Sequence, residues 1–208
     1  MVLLRCDKCS HKPCIEGDLK NLPEFCPMKK FSKVFSEAER LYLNEENLKV
    51  ARAATKVALK AGLSWPRVRE FIELARELKA ERIGLAFCAG LSEEAAKLAS
   101  ILEEWGFKVY AVCCKCGSMR GEKLNLPSTI VLCNPIAQAL LLNHAKTQLN
   151  AIVGLCIGHD AILVKLAKAP TVTLIAKDRV TGHNPAIALY TYYHRLMVAP
   201  SSMERENC

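Results

Sequence analysis

The sequence predicts an α/β protein: an open, mostly parallel five-stranded sheet with flanking helices, of the Rossmann or flavodoxin-like kind, preceded by a small cysteine-rich segment. Two observations predict this fold. From residue 82 onward, short apolar runs alternate with helical patterns, which is typical of a parallel sheet buried on both faces. Before residue 30, four cysteines occur in a stretch with little periodic hydrophobicity, which cannot bury a core of its own.

Five apolar runs predict the strands. These are residues 82–87, 107–112, 129–132, 150–155 and 171–176. Helices are predicted after them, over residues 92–105, 135–146, 161–167 and 185–196. Ser92 is an N-cap residue for the first helix, and Pro135 suits the first turn of the second. Because crossovers between parallel strands are right-handed, every strand is expected to end at the same edge of the sheet.

Composition divides the chain into four parts. Residues 1–30 are the cysteine-rich metal-binding segment, and residues 31–80 are a helical hairpin packed on the sheet domain, its first helix predicted over 35–61. Residues 81–200 are predicted to form the α/β domain, and residues 201–208 are expected to be a disordered tail.

The charge and the cysteine content limit the classes of function. The net charge of +8 favours a small anionic molecule or an acidic redox partner protein. Basic runs with interleaved aromatics are absent, which argues against nucleic-acid binding. Without a signal peptide or an apolar run of about 18 residues, a cytoplasmic location is expected, and a homo-oligomer is compatible with the sequence. In a reducing compartment, 11 cysteines indicate metal ligands or catalytic groups rather than disulfides.

Cysteines follow four of the predicted strands, at the edge where open α/β sheets bind ligands. These residues are Cys88, one of the group Cys113, Cys114 and Cys116, then Cys133 and Cys156. Four thiolates suit a [4Fe-4S] cluster or a tetrahedral zinc ion. The alternative is that they are ordinary buried core cysteines.

Further polar residues at this edge are candidates for catalysis and substrate binding. Cys116 is a candidate nucleophile with Lys115 stabilising its thiolate, and the alternative is that Cys113 and Cys116 are local substitutions. His159 could act as a ligand or proton donor, or be a surface residue near a helix cap.

The turn after the last strand is dense in polar groups. Lys177 and Arg179 are candidates for holding an anionic substrate, with Asn184 beside them and His183 as a second catalytic candidate. The alternative is a solvated loop in which Asn184 begins the next helix.

The amino-terminal segment carries the most specific local pattern. Cys6, Cys9, Cys14 and Cys26 can provide four ligands to one metal site, with His11 as a spare. The spacing is irregular for a zinc ribbon, and Cys26-Pro27 is similar to the end of ferredoxin cluster motifs, so a [4Fe-4S] cluster is favoured slightly over zinc.

Several motifs resemble a prokaryotic family of unknown function whose members are described as metal-binding proteins and are common in anaerobes. The similar segments are Phe87-Cys88-Ala89-Gly90-Leu91, Cys114-Lys115-x-Gly117, Cys133-Asn134-Pro135-Ile136-x-Gln138-Ala139, Gly154-Leu155-Cys156-x-Gly158-His159-Asp160 and Lys177-Asp178-Arg179-Val180-x-Gly182-His183-Asn184-Pro185. The resemblance implies metal binding and implies Cys114 as the ligand of its group, but it supplies no reaction.

These observations give an iron–sulfur protein with an amino-terminal site and a second site at the sheet edge, acting in redox or sulfur-transfer chemistry. The alternatives are a zinc-stabilised protein with a catalytic cysteine and a non-enzymatic metal carrier or sensor. A nucleotide-binding enzyme is disfavoured, because no glycine-rich phosphate motif follows the first strand.

Overall fold

A computed structural model describes residues 4–198, so the tail expected over 201–208 lies outside the described residues. The chain divides into two compact units, with the boundary between Lys56 and Val57. Within the described part of the chain, no helix is long and apolar enough to cross a membrane.

The first unit consists of short turns followed by helices. Two 3-10 turns cover Cys6–Lys8 and Pro13–Ile15, and α1 (Pro27–Lys30) is a single helical turn. Helix α2 (Ser32–Tyr42) follows, and α3 (Glu45–Ala61) begins in this unit.

The continuous helix predicted over 35–61 is wrong, because the chain forms α2 and α3 with a break between them. The break occurs at Leu43 and Asn44. The side-chain oxygen of Asn44 accepts a hydrogen bond from the amide of Glu46 at 3.0 Å, which caps the start of α3. An asparagine within an apolar periodicity therefore starts a new helix here.

The second unit contains a parallel sheet of four strands. These are β1 (Arg82–Phe87), β2 (Lys108–Cys113), β3 (Leu149–Val153) and β4 (Thr171–Ile175). Their order in the sheet is β2-β1-β3-β4. Phe87 at the end of β1 lies opposite Cys113 in β2 and Val153 in β3, so these three strands end level with one another.

In the described part of the second unit, the end of α3 is followed by five further helices. They are α4 (Arg67–Glu77), α5 (Ser92–Glu104), α6 (Pro135–His144), α7 (His159–Leu166) and α8 (Tyr192–Val198). The closing helix predicted over 185–196 is a 3-10 turn at Pro185–Leu189 followed by α8.

The strand predicted over 129–132 is wrong. This segment folds back on the preceding loop: the amide of Leu132 donates to the Met119 carbonyl at 2.8 Å, and the amide of Gly121 donates to the Ile130 carbonyl at 2.9 Å. Its bridge to that loop is antiparallel, between Arg120 and Val131. The fold is therefore an α/β fold with a parallel sheet of four strands rather than the expected five. Its Rossmann or flavodoxin-like character stays a prediction.

The ends of β1 and β2 are tied together by a buried glutamine. Every residue of β3 is buried, as expected for a central parallel strand. Gln138 on α6 is 0% exposed, and its amide nitrogen donates to the carbonyls of Phe87 at 3.2 Å and Val112 at 2.7 Å. Satisfying these carbonyls holds the carboxyl ends of β1 and β2 in fixed positions.

Candidate metal centres

The strand order reverses between β1 and β3, and the crevice at the carboxyl ends of such strands is where open α/β sheets bind ligands. Cys88 directly follows β1, and Cys156 lies three residues beyond β3. Gly154 turns the chain between the end of β3 and Cys156, with a φ of 65°. A Cβ at this position would lie 2.5 Å from Cδ2 of Leu91. A glycine is therefore required for the chain to carry Cys156 to this crevice.

A lysine joins the two cysteines at the crevice. Nζ of Lys177 lies 2.7 Å from Sγ of Cys88 and 3.4 Å from Sγ of Cys156. Burial alone would raise the pKa of Cys88, but hydrogen bonds from Lys177 and from the Gly90 amide outweigh it and hold the pKa below its usual range. Burial would lower the pKa of Lys177, but the two thiols raise it overall. The Lys177 ammonium thus favours the thiolate form of Cys88.

Cys114 lies deeper than its neighbours, with 2% of its surface exposed. Its Sγ accepts a hydrogen bond from the Ala89 amide at 3.4 Å. Burial raises the pKa of Cys114 to about 12, and the nearby thiols of Cys133 and Cys88 contribute to the increase. Without a metal, Cys114 is therefore a neutral thiol at physiological pH.

Cys133 also lies at the sheet edge, near Cys114, although no strand precedes it. The amide of the next residue, Asn134, donates to the Cys114 carbonyl at 2.7 Å. The Asn134 side chain accepts from the Ala137 amide at 2.9 Å and so caps α6. Cys133 is positioned by this cap and by the antiparallel fold-back before it, rather than by a fifth strand.

Cys133, Cys156 and His159 form a compact cluster. Within residues 4–198 they are the one group of three or more cysteine, histidine or carboxylate side chains whose ligand atoms all lie within 4.8 Å of one another. His159 is the first residue of α7, and its amide donates to the Cys156 carbonyl at 2.9 Å. Sulfur ligands of a tetrahedral zinc ion stand about 3.8 Å apart, given Zn–S bonds of about 2.3 Å. The cluster is therefore a candidate Cys/His site for one metal ion.

The turn after β4 is held together by its own side chains. Nδ1 of His183 accepts a hydrogen bond from the Asp178 amide at 3.0 Å, and the Asp178 carboxylate accepts from the amides of Val180 and Thr181 at 3.0 and 3.2 Å. Arg179 is exposed on this turn. His183 contributes Nδ1 to closing the turn, which leaves Nε2 to carry the proton in the neutral ring.

Asn184 precedes the 3-10 turn Pro185–Leu189, is exposed and makes no side-chain cap hydrogen bond. It therefore contributes little to starting that turn.

Cys113 and Cys116 lie beside the crevice in the turn that closes β2, and both are half-buried. Burial raises the pKa of Cys116, and the neighbouring Cys113 raises it further. Nζ of Lys115 donates to the carbonyl of Val131 at 2.6 Å. The Lys115 ammonium therefore anchors the fold-back segment, and the thiolate-stabilising contact made by a lysine is found at Cys88 instead.

The four amino-terminal cysteines line one cavity in the first unit. Cys6, Cys9, Cys14 and Cys26 surround a space of about 200 Å³. Other walls of this cavity are apolar and include Pro13, Leu22 and Phe25. Among the described residues, no three of these thiols lie within 4.8 Å of one another, in contrast to the sheet-edge cluster. These four cysteines are therefore candidate ligands at one cavity.

Two features of the sheet-edge site were not anticipated. The amides of Ala89 and Gly90 each donate to a cysteine sulfur at 3.4 Å, because a 3-10 turn over Ala89–Leu91 points its first amides back at the thiols. The contact of Lys177 with two sulfurs was also missed, since an anionic substrate was its expected partner. The sequence did place a basic residue, Lys177, two positions after β4 at the edge that carries the cysteines, and this could have indicated a contact with their sulfurs.

Fold and site together define a cysteine-rich α/β protein with a candidate Cys/His metal site. A family model described as protein of unknown function (DUF1847) matches residues 26–174, and the chain belongs to this family. This confirms the resemblance found in the sequence. The matched range contains the sheet-edge cysteines, whereas Cys6, Cys9 and Cys14 precede it.

The chain is also similar to uncharacterized protein MJ0455 of Methanocaldococcus jannaschii. The two are 41% identical over 196 residues, which cover 92% of this chain and 96% of that protein. No solved structure matches the chain.

Proposed function

We propose that this protein is an iron–sulfur protein that holds a [4Fe-4S] cluster on Cys6, Cys9, Cys14 and Cys26 and a second metal at the sheet edge. The observation that carries the proposal is the cavity of about 200 Å³ lined by these four thiols. In such a cluster each thiolate binds a different iron, so the ligand sulfurs stand further apart than around a single ion. Among the described residues, no three of these thiols lie within 4.8 Å of one another, which is a wider arrangement than the one around a single zinc ion.

The walls of the amino-terminal cavity suit a redox group. When bound, a [4Fe-4S] cluster supplies one-electron transfer, and its potential depends on solvent exposure and on the polarity around its sulfurs. Pro13 and Leu22 are buried and would shield one side of the group, beside the buried Cys26, whereas Cys6 and Cys14 are exposed. A segment with so small a core also needs a bound metal to become ordered.

The experiment is anaerobic purification of the full chain with analysis of iron and acid-labile sulfide. Wild-type protein and His11→Ala should carry about four irons and four sulfides per cluster site, whereas Cys9→Ser should lose that complement. His11 is the matched control, because it adjoins the cysteines and its loss removes a spare ligand only. A colourless protein with zinc on the amino-terminal cysteines would overturn the assignment.

At the sheet edge, Cys88, Cys114, Cys133 and Cys156 are proposed as ligands of the second metal, with His159 as a further donor. The amides of Ala89 and Gly90 donate to two of these sulfurs, which stabilises them as thiolates. Lys177 adds a positive charge beside Cys88 and Cys156. A small anionic substrate in a redox or sulfur-transfer reaction would meet this ammonium, and the exposed guanidinium of Arg179 lies on the same turn.

A second candidate function is a zinc protein with a catalytic cysteine. It is favoured by the compactness of Cys133, Cys156 and His159, whose ligand atoms lie within 4.8 Å, and by the 2.7 Å contact that activates Cys88. In this version the three clustered residues hold zinc, and Cys88 rather than Cys116 is the nucleophile. A metal carrier or sensor would use the same ligands without the nucleophile.

Metal analysis of sheet-edge variants separates these versions. Cys156→Ser should abolish one metal site and leave the amino-terminal iron unchanged, whereas the half-buried neighbour Cys116→Ser should keep both. Loss of zinc in Cys156→Ser supports the zinc version, and loss of iron supports a second cluster. If the metal content of Cys156→Ser equals that of wild type, the sheet edge is not a metal site.

We also infer a cytoplasmic location and a small anionic molecule or redox protein as the partner. Ten described cysteines are free thiols, which is the state expected in a reducing compartment. The excess of basic residues, with a net charge of +8, supports an anionic partner.

A further inference from the structure

The turn that closes β2 carries two cysteines outside both proposed metal sites. The segment reads Cys113-Cys114-Lys115-Cys116, so Cys113 and Cys116 have the Cys-x-x-Cys spacing of dithiol redox motifs. Cys113 is the last residue of β2, and Cys116 lies in the following turn. The middle cysteine, Cys114, is turned into the crevice and is 2% exposed.

The backbone brings the two outer cysteines within reach of each other. The amide of Cys116 donates to the Cys113 carbonyl at 3.1 Å, which closes a turn of the i to i+3 kind. The Cα atoms at the ends of such a turn lie within about 7 Å. A disulfide requires Cα atoms about 4.4–6.8 Å apart, so the bond can form with little backbone movement.

The turn is also fixed from both sides, which keeps the two thiols together. Nζ of Lys115 donates to the Val131 carbonyl at 2.6 Å, and the amide of Asn134 donates to the Cys114 carbonyl at 2.7 Å. Both Cys113 and Cys116 are half-buried rather than enclosed, so part of each residue is open to solvent.

We propose that Cys113 and Cys116 form a redox-active dithiol that exchanges with small-molecule disulfides at the edge of the sheet. One thiolate attacks a sulfur of the disulfide, which forms a mixed disulfide and releases the first thiol. The other cysteine then attacks the protein sulfur of the mixed disulfide, which closes the Cys113–Cys116 bond and releases the second thiol. Two electrons pass to the small molecule, and the two thiol protons leave with its halves.

This proposal does not depend on the metal at either site. It adds a two-electron couple beside the crevice, next to the pair of Cys88 and Lys177. Formation of the Cys113–Cys116 disulfide would oxidise these two thiols and leave the thiol of Cys114 unchanged.

The test treats the full-length, anaerobically purified protein with mixtures of reduced and oxidised glutathione. Free thiols are then blocked with N-ethylmaleimide, and the protein is digested with trypsin without reduction. Trypsin cuts after Lys115, so peptides 109–115 and 116–120 stay joined only if a disulfide spans the cut. Mass spectrometry should find the joined pair, in a fraction that rises with the share of oxidised glutathione.

Two variants assign the bond. The joined peptides should persist in Cys114→Ser and disappear in Cys113→Ser, where Cys116 should carry bound glutathione instead. Peptides that stay joined in Cys113→Ser would place the bond at Cys114 and overturn the proposal. Absence of the joined pair from wild type at every glutathione ratio would overturn it as well. Metal content measured on the same samples keeps this result separate from the fate of the metal sites.

Discussion

In the metal-free protein, the hydrogen bond from Lys177 lowers the pKa of the Cys88 thiol. Replacing it in Lys177→Met leaves the burial of Cys88 and removes the hydrogen bond that opposes it, so the pKa of Cys88 should rise. Alkylation of Cys88 by iodoacetamide needs the thiolate, and its pH profile should therefore shift to higher pH. Mass spectrometry of the Cys88 peptide after timed labelling measures the shift.

Lys115→Met is the matched control for this experiment. Its ammonium is bonded to the Val131 carbonyl rather than to a sulfur, so the labelling profile of Cys88 should stay where it is in wild type. Equal profiles for wild type and Lys177→Met would show that the lysine does not stabilise the Cys88 thiolate.

The turn at Gly154, which leads to the crevice, leaves no room for a side chain. Gly154→Ala combines a strained φ of 65° with a Cβ 2.5 Å from Leu91, and we expect it to lower the free energy of unfolding by about 3 kcal/mol or more. Gly182→Ala has a similar φ of 63° and open space around the new Cβ, so only strain of about 1 kcal/mol should appear. Urea unfolding measures both, and equal losses would contradict the role of Leu91.

At the residue scale, the sequence was sufficient to select the cysteines and insufficient to assign their environments. Cys88, Cys114 and Cys156 could be grouped because strand ends meet at one edge of a parallel sheet. Cys133 was grouped with them on a predicted strand that is wrong, and it is brought there by the fold-back segment instead. The contact of Lys177 with two of them depends on the conformation of a turn after β4. Side-chain contacts between segments 89 residues apart, such as Lys177 and Cys88, leave no periodic signal in the chain.

Two Asn-Pro pairs start helical segments, and only one of the asparagines is a cap. Asn134→Ala removes a hydrogen bond to the Ala137 amide, so the free energy of unfolding should fall by about 1 kcal/mol. Asn184→Ala is the matched control, because Asn184 makes no cap hydrogen bond before Pro185 and its loss should be close to zero. Urea unfolding of the two variants decides this, and a loss in Asn184→Ala as large as in Asn134→Ala would contradict it.

At the element scale, four of the five predicted strands are confirmed and the fifth, over residues 129–132, is wrong. The apolar runs of β1 to β4 have the length of sheet strands and alternate with helices, and this pattern identifies them as strands of a parallel sheet. Residues 129–132 are equally apolar, but the segment pairs in antiparallel fashion with the loop at Met119 and Gly121. Composition alone does not distinguish a short sheet strand from a fold-back. Cys133 nevertheless reaches the site, because Asn134 is pinned to Cys114.

At the scale of the whole molecule, the two units should respond differently to metal removal. The first unit has few buried side chains around its cysteines, whereas the second has a continuous apolar core along β1 and β3. Chelation of the purified protein should therefore make residues 6–26 sensitive to trypsin at Lys8 and Lys20, while the sheet domain stays intact. Timed digestion followed by mass spectrometry measures this, and an equally resistant segment after metal removal would contradict it.

The central claim is that the amino-terminal cysteines hold a [4Fe-4S] cluster. Low-temperature electron paramagnetic resonance of the dithionite-reduced, anaerobically purified protein tests it most directly, because a reduced cluster of this kind has an unpaired electron and zinc has none. We expect a spin-one-half signal in wild type and in His11→Ala, and the part of it that belongs to the amino-terminal cluster should be lost in Cys9→Ser and retained in Cys156→Ser. No signal in a protein that contains only zinc, or a signal unchanged in Cys9→Ser, would contradict it.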